Sequence, residues 1–246
     1  MAIATIILAI FSAFGSDQFA HPQAVCDGAS ADEVDPVENA PFSAQRRVIT
    51  ITRNADGTSS RAEATESEAR DGKGRTYRAG ERFWTTLVEN KRVQKSEILV
   101  RISDPVASIS TTWSSGSNVV KVVHGPRLTG QTKTVDRAFS PFADALGSEV
   151  QKLGTKTIKG LLAEGARMSY TVPPAQAKCD NHNAVVSECW YSPELKAVIL
   201  ETRNDPCSGS FTNQLETIIR GEPDVAKYQP PAEYIRQNVE MPQPPR

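Results

Sequence analysis

Short stretches of alternating or β-branched residues, each closed by a turn sequence, recur along most of this 246-residue chain. The first stretch is RRVITITR at 46–53, and the NADG that follows contains Asp56-Gly57, a pair that favours the positive φ of a hairpin turn. DGKG at 71–74 and SPEL at 192–195 close later stretches in the same way. The pattern predicts a mainly β fold, an antiparallel sheet with a meander.

The densest segment of the chain, SECWYSPELKAVILETRNDPC at 187–207, raises the question of an active site. Two strand-like halves flank its centre, and Pro193 fits the second position of a type I turn that begins at Ser192. We therefore interpret the segment as a β-hairpin within a meander that fills the second half of the chain.

One segment has the spacing of a helix. SPFADALGSEVQKLG offers Ser140 as N-cap, Pro141 at the first helical position and Gly154 as C-cap. Its apolar residues recur at intervals of three and four, as one face of a helix requires; they are Phe139, Phe142, Leu146, Val150 and Leu153. This spacing predicts one principal helix over 140–153, packed on the sheet.

The N-terminus has the features of an export signal. An apolar run over 2–14 has the length of a signal-peptide core and is too short to span a bilayer, and a small-x-small pattern ends at Gly15. No Lys or Arg precedes the run, and a buried N-terminal helix is the alternative. We favour a signal peptide at 1–15 and a periplasmic or secreted protein, because the acidic, proline-containing stretch at 16–40 has the composition of a disordered linker.

The remaining chain divides into a single antiparallel β domain at 41–236 and a Pro-rich disordered tail at 237–246. Net charge is −1, so no large field directs the protein to nucleic acid. The first hairpins carry several arginines that we interpret as solvated surface: Arg46, Arg47, Arg61, Arg70, Arg75 and Arg78. The polar stretch TSSRAEATESEAR, with Glu66 and Glu68 on one face, is expected to be an edge strand or strongly solvated.

The four cysteines favour one disulfide. Residues 173–184 and 204–210 are predicted loops at the same end of the meander, so Cys179 and Cys207 are the pair that geometry allows. A bond from Cys189 to Cys207 would break the hairpin. Cys26 follows a poor lipobox, so its lipidation is an open alternative that we disfavour.

No motif for catalysis or metal binding stands out. The segment CDNH at 179–182 matches no paired zinc-ligand spacing. Three histidines and no G-x-S-x-G leave no visible nucleophile and base. We therefore expect a protein that is not an enzyme and that has no metal and no cofactor.

Several segments together resemble a family of secreted proteins of acidobacterial type. They are NADGTSSR, RDGKGRTYR, ISDPVASIS, LGTKTIKGLLAEGAR, SECWYSPELKAVILETRNDP and EPDVAKYQPPAEY, spread over roughly 41–236. The layout is also similar to the half-barrel of periplasmic lipoprotein-carrier and sigma-regulator sensor domains. That resemblance implies a curved antiparallel sheet, a half-barrel that wraps a helix and can hold acyl chains.

Two functional hypotheses follow. The first is an exported binding module of the cell envelope that holds a lipid, an acyl chain or a peptide in an apolar groove between sheet and helix, lined by Phe139, Phe142, Leu146 and Trp190. Lipid or lipoprotein is then the expected partner, with at most peripheral membrane contact. The alternative is a structural or interaction domain without a ligand. The binding module predicts a pocket of a few hundred Å³, and the structural domain predicts close packing.

Overall fold

The structure, a computed structural model, describes residues 37–54, 56–89, 91–125, 150–171, 179 and 184–240. It confirms a mainly β fold, with a single sheet of twelve strands in the described part of the chain. The strands are β1 (Phe42–Arg53), β2 (Ser59–Arg70), β3 (Thr76–Val88), β4 (Lys91–Asp104), β5 (Ile109–Ser114), β6 (Val119–His124), β7 (Val150–Ile158), β8 (Leu161–Tyr170), β9 (Val185–Ser192), β10 (Ala197–Asp205), β11 (Gly209–Arg220) and β12 (Ile235–Glu240).

The order of strands across the sheet is β12-β6-β5-β4-β3-β2-β1-β11-β10-β9-β8-β7. The consecutive strands β1 to β6 form one antiparallel half and β7 to β11 form the other. β1 joins the halves, because it pairs with β2 on one side and with β11 on the other. β12 then adds to the far edge, parallel to β6.

Where residues of the predicted helix are described, they form a strand and not a helix. Val150 and Leu153 lie in strand β7, and the rest of the predicted helix, 140–149, lies outside the described residues. Gly154 does have the positive φ expected of a helix C-cap, but it uses that conformation in a β-bulge opposite β8, where the register shifts between Lys152 and Gly154. Among the described residues the helical structure is a 3₁₀ turn at Val225–Tyr228, and the last strand, β12, follows it.

The hairpin prediction for the densest segment is confirmed. β9 and β10 pair antiparallel across the turn at 193–196, with Ser192 opposite Ala197 and Tyr191 opposite Val198. A bulge at Ile199 then shifts the register by one residue. Cys189 consequently lies opposite Glu201 and far along the strand from Cys207.

β2 is not an edge strand, because it lies between β1 and β3. Its pairing with β3 covers only Glu66–Arg70, so the stretch 59–65 has β1 alone as a neighbour and is exposed. The polar composition therefore reflects solvation along one half of an interior strand. The domain also ends later than the predicted boundary at residue 236, since β12 runs to Glu240.

Parts of β3 and β4 extend as a two-stranded arm, because each of these strands pairs with its outer neighbour along only part of its length. β3 pairs with β2 only as far as Gly80, and β4 pairs with β5 only from Leu99 onward. Between those points, residues 81–98 of β3 and β4 are paired with each other alone. We call this two-stranded ribbon, 81–98, the β3–β4 arm.

Two apolar clusters are buried at the sheet. The first consists of Ala166, Met168 and Cys189, with Val150, Tyr170, Tyr191 and Val198 packed around them. The second is larger and contains Phe42, Ala44, Ile158, Leu161, Ala163, Trp190, Leu195, Ile199 and Leu215. In the part of the chain described, no helix has the length and apolar character needed to cross a membrane.

Two glycines next to β1 differ in the space around them. Gly209 and Gly57 both have positive φ, but a Cβ on Gly209 would overlap the backbone carbonyl of Ile51, whereas a Cβ on Gly57 meets open space. Gly209→Ala should therefore lower the free energy of unfolding by more than about 2 kcal/mol. Gly57→Ala should cost only the strain of the left-handed conformation, about 1 kcal/mol. Urea unfolding of both variants checks this, and equal losses would contradict the register of β1 with β11.

Candidate functional site

A shallow cavity of about 540 Å³ lies on the sheet across strands β8 to β11. Two adjacent cross-strand rows line it. The first row runs Arg167, Glu188, Thr202 and Thr212, each opposite the next on the neighbouring strand. The second row runs parallel to the first and consists of Ser169, Val186, Asn204 and Ser210. Arg203 and Phe211 complete the lining.

An ion pair forms one end of this cavity. Both Nε and an Nη of Arg167 donate to Oε1 of Glu188, at 2.9 and 2.6 Å, and the indole N–H of Trp190 donates to Oε2 at 3.5 Å. The Arg167 and Glu188 side chains remain 40% and 24% exposed, so a molecule in the cavity can reach both charges. The remaining lining positions of the two rows are mostly hydroxyl or amide side chains that both donate and accept hydrogen bonds.

A second charged group lies at the centre of the sheet and is buried. Arg46 on β1 pairs with Glu68 on β2 through Nε at 2.5 Å, and it also donates to the side-chain oxygen of Asn213 on β11 at 2.8 Å. Burial raises the pKa of Glu68, but the charges of Arg46 and Arg78 and the hydrogen bond from Arg46 lower that pKa by more, to about 2. Glu68 is therefore ionised at neutral pH despite its burial.

Arg70 is also buried, and its contacts are with backbone. Its guanidinium donates to the carbonyl oxygens of Ala40, Leu195 and Lys196 and lies 5.1 Å from the centroid of the Phe42 ring. Desolvation lowers the pKa of this arginine. The interpretation of the early arginines as solvated surface is therefore wrong for Arg46 and Arg70, which are buried.

Cys179 and Cys207, the pair that the sequence favours, form a disulfide with a Cα–Cα distance of 5.4 Å. The bond holds residue 179 against the turn between β10 and β11, close to the end of the cavity formed by Asn204 and Ser210. Oxidation removes the Cys179 thiol from the set of metal ligands. No cluster of three or more metal-ligating side chains occurs within the described ranges.

Of the predicted ligand-binding residues, only Trp190 lies in the described structure. It is a buried member of the larger apolar cluster: its ring covers the α-carbon of Gly165, and the ammonium group of Lys156 lies 3.5 Å from the ring centroid. Phe139, Phe142 and Leu146 lie outside the described residues, so their grouping with Trp190 stays a prediction.

The cavity residues were not predicted. Glu188 and Thr202 stand on the recognised hairpin, but each strand there alternates ordinary polar and apolar residues. What makes them neighbours of Arg167 and Thr212 is the placement of β8 and β11 on either side of the hairpin. The one local indication was the density of Ser, Thr, Asn and charged residues in strands that also carry core positions.

No family model matches this chain, and no curated protein matches it. Solved structures that resemble it include the MucA/MucB complex of Pseudomonas aeruginosa, with 13% identity and a TM-score of 0.41 over 85% of this chain and 60% of that one. An uncharacterized conserved protein from Thermus thermophilus matches with 8% identity and a TM-score of 0.41 over 82% of this chain and 91% of that one. A LolA superfamily protein from Nitrosomonas europaea matches with 9% identity and a TM-score of 0.28, over 80% and 92%.

A complex that contains MucB and a LolA superfamily protein are thus among the solved structures that resemble this chain. At these identities and TM-scores no role of a neighbour or of its residues is transferred to this chain. This chain spans only 60% of the length of the MucA/MucB chain that it matches.

The buried ion pair makes stability depend on pH. Because the pKa of Glu68 falls from 4.5 to about 2 on folding, its contribution is fully present above about pH 4.5 and is lost as pH falls toward 2. That contribution is roughly 3 kcal/mol. Glu68→Gln should lower the free energy of unfolding at pH 7 and flatten its decrease between pH 5 and pH 2, as measured by urea unfolding across that range.

Glu63→Gln is the matched control on the same strand. Glu63 also pairs with arginines, Arg47 and Arg61, but these side chains are substantially exposed. Solvent screens such pairs, so Glu63→Gln should change stability far less. If the two substitutions lowered the free energy of unfolding equally, the buried Arg46–Glu68 pair would contribute no more than an exposed pair, contrary to this prediction.

The disulfide closes a segment of 28 residues. Constraining a loop of that length in the unfolded chain stabilises the fold by about 3–4 kcal/mol in the chain-entropy model. The double variant Cys179→Ser, Cys207→Ser should lose a stability of that order in urea unfolding. Peptide mapping without reductant checks the bond itself, and a double variant as stable as the parent protein would contradict its contribution.

Proposed function

We propose that this chain is an exported binding module of the cell envelope and that it holds its ligand in the cavity across β8–β11. The observation that carries the proposal is the cavity itself: about 540 Å³ on a rigid sheet, with convergent donors and acceptors along two rows. Sites for small ligands commonly occupy about 300–1,000 Å³.

The lining favours one of the three ligands considered from the sequence. Eight of the ten lining residues are polar or charged, and the apolar ones are Val186 and Phe211. An acyl chain would cover the serine, threonine and asparagine side chains of the two rows without offering them hydrogen bonds, and covering polar groups in this way costs free energy. A peptide offers amides to the hydroxyl and amide side chains and charges to Arg167 and Glu188, so the proposed ligand is a peptide segment.

The dimensions agree with an extended peptide. The four strands β8 to β11 are separated by three strand spacings, which together measure about 14 Å. Extended backbone advances about 3.3 Å per residue, so roughly four residues cross the cavity. An apolar groove lined by Phe139, Phe142 and Leu146 remains a separate prediction for residues outside the described part of the chain.

Filling the cavity tests the proposal. Thr202 lies near its centre, so Thr202→Phe should weaken binding of a pool of fluorescein-labelled random hexapeptides at least tenfold in fluorescence polarisation. Thr155→Phe is the control, because Thr155 is an exposed threonine on edge strand β7. No binding by the parent protein, or equal binding by the two variants, would contradict a peptide site in this cavity.

Native mass spectrometry of protein secreted by a bacterial host tests the two other parts of the proposal, which are export and a bound ligand. A processed mass with a retained peptide supports an exported binding module. A processed, bare mass together with failure of the hexapeptide pool favours the structural domain instead. A chain that keeps Met1 would contradict export.

A further inference from the structure

The β3–β4 arm exposes a run of large apolar side chains. Each described residue from 82 to 96 is exposed except Thr86, which is half-buried. At about 3.3 Å per residue, residues 81–88 of β3 run roughly 26 Å past the end of the pairing between β3 and β2. Its large apolar side chains are Phe83, 48% exposed, Trp84 at 41%, Leu87 at 68%, Val88 at 45% and Val93 at 38%.

These side chains occupy both faces of the ribbon. The register places Phe83 and Leu87 on one face, and Trp84, Val88 and Val93 on the other. A protein that docked on one face would leave the other face in water. A lipid interface surrounds what enters it and can cover both.

The charge of the outer part of the arm selects the kind of interface. Residues 83–96 carry Lys91, Arg92 and Lys95 against the acidic Glu89, a net charge of +2 in a chain whose total is −1. The base of the arm adds Arg82, Glu81 and Glu97, so the arm as a whole has a net charge of +1. Basic side chains near a membrane are attracted to anionic headgroups, and Trp with Lys or Arg is typical of residues that sit at the boundary between lipid and water.

The unpaired edges of the arm limit its depth. Beyond Gly80 and before Ile98, whose backbone bonds to Ser115, the outer backbone edges of β3 and β4 have no neighbouring strand among the described residues. Hydrocarbon offers these groups no hydrogen-bond partner, whereas water and headgroups do. The arm is therefore suited to the headgroup region and its boundary with the acyl chains, and not to crossing the bilayer.

From these observations we infer that the β3–β4 arm docks the protein on an anionic lipid surface, with Phe83, Trp84, Leu87, Val88 and Val93 entering the interface and Lys91, Arg92 and Lys95 contacting headgroups. This surface is distinct from the cavity. The inference does not rest on the proposed peptide site.

The test is sedimentation of the full chain with sucrose-loaded vesicles of phosphatidylglycerol and phosphatidylcholine at 3:7. The parent protein should bind these vesicles, and should bind more weakly in high salt or to pure phosphatidylcholine. The double variant Trp84→Ser, Leu87→Ser should bind at least tenfold more weakly. The matched control Leu162→Ser, Ile219→Ser removes two exposed apolar side chains elsewhere on the sheet and should leave binding unchanged.

All variants retain the apolar N-terminal run, so a difference in binding between the arm variant and the control pair does not come from that run. A second variant guards against misfolding: Lys91→Gln, Arg92→Gln, Lys95→Gln changes only exposed charges and should also weaken binding at least tenfold. Trp84→Phe should still bind but lose the fluorescence quenching that brominated phosphatidylglycerol causes in the parent protein. Thr202→Phe should bind vesicles normally, which separates this surface from the cavity.

Several outcomes would overturn the inference. These are an absence of vesicle binding by the parent protein, parent-like binding by the serine or glutamine arm variants, and salt-independent binding that is equal on pure phosphatidylcholine. The inference would also be overturned if the serine variant changed its oligomeric state, measured by light scattering, while its binding to vesicles stayed the same. That result would make the arm a contact between copies of the chain.

Discussion

The fold depends on one buried contact at the middle of the sheet, where Arg46 on β1 pairs with Glu68 on β2 and donates to Asn213 on β11. β1 is the strand through which the two antiparallel halves meet, so this group of side chains fastens both halves to the same strand. A buried arginine or glutamate alone would be costly, but together they satisfy each other. Arg70 extends the connection by donating to Leu195, at the far end of the hairpin β9–β10.

The sequence predicted most of the strands and the hairpin turns, because these depend on local alternation and on turn residues such as Asp56-Gly57 and the SPEL turn. It did not predict the first part of strand β7, residues 150–154, which it assigned to the helix and its C-cap. Val150 and Leu153 have helical spacing, yet β8 offers a complete set of backbone partners, and the bulge before Gly154 uses the glycine that was interpreted as a helix cap. Tertiary pairing decided the conformation there over local preference.

Side-chain sites were harder to foresee than strands for a physical reason. The row from Arg167 to Thr212 exists only because β8, β9, β10 and β11 pair in one register, and a shift of one residue would turn each side chain to the other face. The burial of Arg46 and Glu68 likewise requires β1 to be an interior strand, which no local pattern reveals. The disulfide between Cys179 and Cys207 was accessible to sequence reasoning because it depends on which loops share an end of the meander.

The parallel strand β12 has a consequence for the order of folding. Its partner β6 is made well before β12, and the pairing of β1 with β11 likewise joins distant parts of the chain. Long-range pairings of this kind raise the contact order, and high contact order slows folding. During synthesis, β1 and β6 therefore lack one of their two neighbouring strands until β11 and β12 have also been made.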